Sequence, residues 1–76
     1  MKEADMKYAV KLTTKMLGMV FVDYIGLRGK SWENENEVNG WKRRSSAEKW
    51  IKSQVSLNNM LGLNRVFENK YEIISL

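Results

Sequence analysis

Polar and apolar positions alternate from Lys7 to Thr13. Tyr8, Val10 and Leu12 fall on one side, and Lys7, Ala9, Lys11 and Thr13 on the other. A period of two predicts a strand with one wet face. The following "TTKMLG" reads as a turn, with Gly18 able to take φ > 0. "MVFVDYIGLRG" is richer in β-branched and apolar residues, as a central strand requires. Its faces are Met19, Phe21, Asp23 and Ile25 against Val20, Val22 and Tyr24. Neither is fully polar, so the pattern leaves open which looks inward. Gly26 and Gly29 mark a bend or bulge near its end.

In "SWENENEVNGWKRR" the pair Asn39-Gly40 is a strong hairpin signal, since it tolerates the positive φ angles of a type I′ turn. Counting outward from that turn sets Val38 opposite Trp41, Glu37 opposite Lys42, Asn36 opposite Arg43 and Glu35 opposite Arg44. Cross-strand pairs of this kind contribute about 0.2–1 kcal/mol each. "SSAEKWIKSQVSLNNMLG" is helical: Ala47, Trp50, Ile51 and Val55 make one stripe, extended by Leu61, with Lys49, Lys52 and Ser53 opposite. Ser45 and Glu48 have capping-box spacing, and Gly62 suits the position past the end. Asn58 and Asn59 weaken the last turn, so an end near Leu57 is the alternative. In "RVFENKYEIISL", Tyr71, Ile73 and Ile74 favour a strand, and Glu68-Asn69-Lys70 could turn a small hairpin between Val66-Phe67 and Tyr71-Glu72.

The fold class is therefore α+β: a small antiparallel sheet in the order β-β-β-hairpin-α-β, with one helix packed on one face. At 76 residues the chain makes a single domain spanning 1–76, with residues 1–5 expected to fray. Such a short chain buries only about 60% of its unfolded surface. The 43% hydrophobic content is that of an ordinary globular domain. The 11% aromatic content, with three tryptophans, supplies large core pieces.

Chemistry is constrained mainly by what is missing. There is no cysteine, which excludes disulfides and thiolate metal sites, and a small domain without such staples points to a reducing, cytoplasmic setting. There is no histidine, the commonest catalytic base and metal ligand. "MKEADMKYAV" has no apolar h-region, so no signal peptide is expected, and no apolar run is long enough to span a bilayer. Without histidine no serine has an evident activating base. Glu33, Glu35 and Glu37 alternate and could collect a hard cation, but a solvated strand face with hairpin salt bridges is the simpler reading. Asp23, amid apolar neighbours, needs a partner such as Arg28 or Lys30 if buried, or an edge position. No enzyme activity, cofactor, metal or small-molecule substrate is expected.

The formal net charge of +4 is spread along the chain, and residues 33–44 balance three glutamates against three cations. Trp32, Trp41, Lys42, Arg43 and Arg44 are the candidate contact residues. Read as a free strip, Trp41 to Arg44 suits phosphate contact and base stacking. Read as half of a hairpin, the strip has Lys42 and Arg44 neutralised by Glu37 and Glu35. Trp50 belongs to the helix's apolar stripe and is read as core.

"YAVKL", "VFVDYIG" and "GWKRRSSAEKWIKS" together resemble a loose class of small bacterial and phage proteins of β-β-α-β type, with Ser45, Ala47, Trp50 and Ile51 carrying the helix-start pattern. The resemblance implies a sheet plus a helix and a phage or mobile-element derivation. A weaker similarity is to the arm-site DNA-binding domains of phage-type integrases, which place three strands before one helix and read DNA with the sheet. This chain departs from them by a strand after the helix and a near-neutral hairpin, so no contact residue is carried over.

The expectation is a small non-enzymatic accessory protein acting by protein–protein interaction or self-association, for example through an exposed sheet edge. The alternative is a nucleic-acid-binding protein using the basic-aromatic patch at 41–44.

Overall fold

A computed structural model describes residues 7–62 and 67–76. The expected fraying of residues 1–5 and the Val66 arm of the C-terminal hairpin lie outside the described residues. The elements run β1 (Tyr8–Met16), β2 (Met19–Ile25), β3 (Ser31–Trp32), α1 (Arg44–Leu61) and β4 (Glu68–Ser75). All strand pairs are antiparallel, in the spatial order β3-β2-β1-β4, and α1 lies across one face. This is the α+β sheet-plus-helix architecture that the two periodicities predict.

The register explains which face is apolar. Val10 of β1 sits between Ile25 and Ile73, and Leu12 between Asp23 and Tyr71. Against this row α1 lays Ala47, Trp50 and Ile51, and Trp41 closes one end. Among the described residues Ala9, Val10, Ile25 and Ala47 are the buried hydrophobics. Ile25 thus settles the inward face of β2. Tyr24, Val22 and Val20 line the open face, with Lys11 of β1 and Trp32 of β3 alongside Tyr24. Asp23 is half-buried on the helix side of β2 and pairs with neither Arg28 nor Lys30; β2 is an inner strand rather than the edge considered for it, although β3 stops short of Asp23.

Two tight turns connect the first three strands. Leu17 (φ 52°) and Gly18 (φ 78°) link β1 to β2, and Arg28 (φ 63°) and Gly29 (φ 74°) lie between β2 and β3. Both have the two consecutive positive φ angles of type I′, whose twist matches that of paired strands. Asn39-Gly40 does not: neither residue has positive φ. The hairpin expected around it is absent. Glu35–Glu37 form a 3-10 turn, and Trp41 pairs instead with Tyr8 through two backbone bonds of 2.8 Å. The long-range partner wins because β1 extends past the end of β2 and offers Tyr8's backbone groups to the passing chain. Gly40 is needed there for closeness, since a Cβ on it would stand 2.5 Å from the Tyr8 carbonyl oxygen and 2.7 Å from Leu76 Cδ1.

The helix begins one residue before Ser45 and without a capping box. Arg43, extended at φ −119° and ψ 136°, occupies the cap with no side-chain cap bond. The Tyr8–Trp41 bridge keeps Trp41 in line with the sheet, and the chain coils only after Arg43. Glu48 pairs with Arg44 at 3.4 Å rather than reaching back to Ser45. At the other end α1 continues through Asn58 and Asn59 to Leu61, where Gly62 (φ 71°) stops it. The early stop near Leu57 is avoided because Asn58 is buried and its amide donates to the Tyr71 hydroxyl at 3.0 Å. The asparagine's weak helix propensity is offset by that tertiary bond. The small hairpin expected at 66–72 is also absent: Glu68–Ser75 is one strand, paired with β1 from Lys15 to Tyr8. Asn69, expected in its turn, accepts a 2.8 Å bond from Thr14 Oγ1 within the sheet.

Candidate functional site

The bridge to Tyr8 fixes Trp41 at the junction of sheet and helix, and two grooves open on either side of its indole. One, of about 410 Å³, is lined by Lys7, Leu27, Gly40, Trp41, Lys42, Arg43 and Ser46. The other, of about 340 Å³, is lined by Arg28, Gly29, Trp41, Ser46, Lys49, Trp50 and Ser53. Trp41 and Ser46 belong to both, so the grooves form one continuous surface. Lys7, Arg28, Lys42, Arg43 and Lys49 supply its charge, and among the described residues no acidic side chain lines either groove.

The three tryptophans have separated. Trp41 and Trp50 are half-buried neighbours with ring centroids 6.4 Å apart at 41°, and Trp50 in turn meets Tyr71 edge-on at 6.1 Å. This aromatic row roots the surface in the core, so its indoles are held in place while one side of each borders a groove. Gly29 presses against the Trp50 indole, where a Cβ would lie 3.0 Å from Nε1. Trp32 is elsewhere: it pairs with Tyr24 on the open face, with the Lys30 ammonium 5.3 Å from its ring centroid. The structure therefore joins Trp41 to Lys42 and Arg43, and places Trp32 apart.

The charge pairing expected across Asn39-Gly40 is not formed. Among the described residues the ion pair is Arg44–Glu48, both exposed, and no carboxylate pairs with Lys42 or Arg43. Glu35 and Glu37 are exposed on their own 3-10 turn. Arg44 is engaged along the helix and lines neither groove, so it drops behind Lys42 and Arg43 as a contact residue. The structure adds Lys7, Arg28, Lys49 and Trp50, which the sequence reading had not grouped with Trp41. The sequence reading set Lys49 and Ser53 opposite Trp50, but Trp50 lies at the margin of the apolar stripe: Ser46, Lys49, Trp50 and Ser53 follow i, i+3, i+4, i+7 spacing and line one groove together. Lys7 and Arg28 come to the site only through the tertiary course of the chain.

Arg28 is held in the left-handed region, which costs a non-glycine residue about 1 kcal/mol or more. Its side chain is exposed and borders the groove beside Trp50. Chemically, the surface offers fixed positive charge, two hydroxyls and two aromatic rings. It suits an anion that carries flat groups. Among the described residues no group of three or more acidic side chains converges on a cation site, and no helix is long and apolar enough to cross a membrane. No protein-family model matches this chain, no curated protein matches its sequence, and no solved structure matches its fold.

Proposed function

We propose that this protein binds single-stranded nucleic acid across the Trp41 surface. The observation that carries this reading is the grouping of five cations and two indoles on adjoining grooves, with no carboxylate among the described residues that line them. Cations track the phosphate backbone, and indoles stack on bases, which a single strand leaves uncovered. A duplex would offer the phosphates but not the base faces. Recognition of this kind tolerates sequence, because every base presents a π-face.

The test is fluorescence anisotropy of a labelled oligonucleotide across a salt series. If all five cations contact phosphates, the slope of log K against log salt is about −3.5, since each contact on a single strand contributes about −0.7. Affinity then falls about a hundredfold between about 50 and about 200 mM salt. Replacing Lys42 and Arg43 together by alanine flattens the slope by about 1.4. A slope near zero, or affinity unchanged in that double variant, refutes the assignment. Tighter binding to duplex than to single strands refutes the stacking part. The protein-contact reading draws support from a different surface, the apolar edge of β2.

A further inference from the structure

At the hairpin end away from the Trp41 surface, β2 exposes a run of apolar residues: Met19 is 57% exposed, Val20 59%, Phe21 43% and Val22 39%. Its outer edge is open along this run, because β3 meets β2 only at Tyr24 and Ile25. The Gly26 N–H donates across that edge to the Lys30 carbonyl at 2.9 Å. Alternate residues of an antiparallel strand point their backbone groups the same way. Hence Val22 and Val20, like Tyr24, present N–H and C=O outward. Tyr24 is satisfied by Trp32, whereas Val20 and Val22 have no strand beside them among the described residues.

An open apolar edge with no charge on it is a template for strand addition. The opposite edge differs: β4 places Glu68, Lys70 and Glu72 along the open face, the kind of charged residues that blunt an edge. Met19–Val22 carries no charge itself, and Lys15, the neighbour of Val20 on the open face, has Glu68 on its other side, so two like molecules can meet here with little repulsion. We infer that β2 pairs antiparallel with β2 of a second copy of this chain, about a two-fold axis at Val20, joining two four-stranded sheets edge to edge.

The register follows from what occupies the edge. Trp32 fills the place beside Tyr24, so the partner's Leu17–Gly18 turn advances no further than Val22. That sets Val20 opposite its own symmetry mate, with backbone bonds exchanged there, and Met19 opposite Phe21 of the other copy. The sulfur-to-ring contact falls on the helix side and the valine pair on the open side. An isologous pairing of this kind closes on itself and yields a dimer rather than a fibre.

The absence of cysteine gives a clean readout. In the nucleic-acid-free protein, sedimentation equilibrium should show mass rising with concentration from 8.9 kDa towards twice that value. Val20→Cys should oxidise to a disulfide-linked dimer, since hydrogen-bonded antiparallel partners have Cα atoms about 5.5 Å apart, within disulfide range. Leu17→Cys, at a turn residue 91% exposed but not facing its mate, should cross-link far more slowly. Val20→Lys and Val20→Glu should each be folded by circular dichroism and monomeric, and mixing them should restore the dimer. Wild type that stays monomeric at every concentration overturns the inference. So does a dimer that survives Val20→Lys, or cross-linking at Leu17 as fast as at Val20.

Discussion

Gly40→Ala tests whether the Asn39-Gly40 pair acts as a turn or as a close crossing of two chain segments. The added methyl would stand 2.5 Å from the Tyr8 carbonyl oxygen and 2.7 Å from Leu76 Cδ1. The first neighbour is backbone and cannot swing aside. Relief requires the 38–41 segment to lift, and the Tyr8–Trp41 bridge, two bonds of 2.8 Å, lifts with it. Each backbone bond contributes about 1 kcal/mol net, and overpacking at a tight site costs about 1–3 kcal/mol. The expected loss is about 3 kcal/mol, a large share of the stability of a domain this small. For 60–100 residues that lowers the melting temperature by about 12–24 °C. Thermal melts and urea titrations of both proteins, followed by circular dichroism, measure it. Asn39→Ala is the companion variant. Its side chain accepts an exposed 3.3 Å bond from Lys7 Nζ, so its loss should cost under about 0.5 kcal/mol. A type I′ hairpin turn would instead put both residues at positive φ and cost about 1–2 kcal/mol for either substitution. Losses of similar size at the two positions would refute the crossing.

Asn58→Ala leaves the Tyr71 hydroxyl without its 3.0 Å donor and opens space at a buried helix position, so a loss of about 1–3 kcal/mol in urea titration is expected, and a double-mutant cycle with Tyr71→Phe should return a coupling of about 1 kcal/mol. Leu17→Asn removes a 91% exposed leucine at φ 52° and installs the residue preferred there in a type I′ turn, so the melting temperature should rise by an amount equivalent to about 1 kcal/mol. Arg28→Gly relieves the other positive φ and should also stabilise by up to about 1 kcal/mol, while weakening oligonucleotide binding and flattening its salt slope by about 0.7. A variant that gains stability with no change in slope would remove Arg28 from the site.

Local patterns were reliable where the structure is locally decided. The strand course of β1, the helical stripe through Trp50 and Ile51, and the stop at Gly62 can all be read from the chain, because neighbours within a few residues determine them, though Ala9, expected on the wet face of β1, is fully buried. Asn39-Gly40 misleads because its conformation is set by Tyr8, far away in sequence, and no local count includes that partner. The unremarkable Leu17-Gly18 and Arg28-Gly29 carry the type I′ geometry instead, with sheet pairing on both flanks compensating for a non-ideal first residue. The Ser45 capping box fails for a related reason: the same bridge decides where coiling starts. At the candidate site, Trp41, Lys42 and Arg43 were legible because they are consecutive, whereas Lys49 was assigned to the face opposite Trp50 because the apolar stripe was read as wider than the face it buries. Lys7 and Arg28 were not legible, since nothing short of the topology brings them to one indole.

The first strand described is also the centre of the sheet, and its outer partner is the last. Tyr8 faces Ser75, Lys15 faces Glu68, and the Leu76 N–H donates to the Lys7 carbonyl at 2.8 Å. On a translating ribosome β1 therefore emerges early and waits for β4 with one flank uncovered. The native sheet can assemble only once β4 is free to pair, so its folding is limited by a long loop closure. Nascent chains halted before Glu68 would be protease-sensitive, and β4 would act as the latch whose arrival converts them to a resistant form.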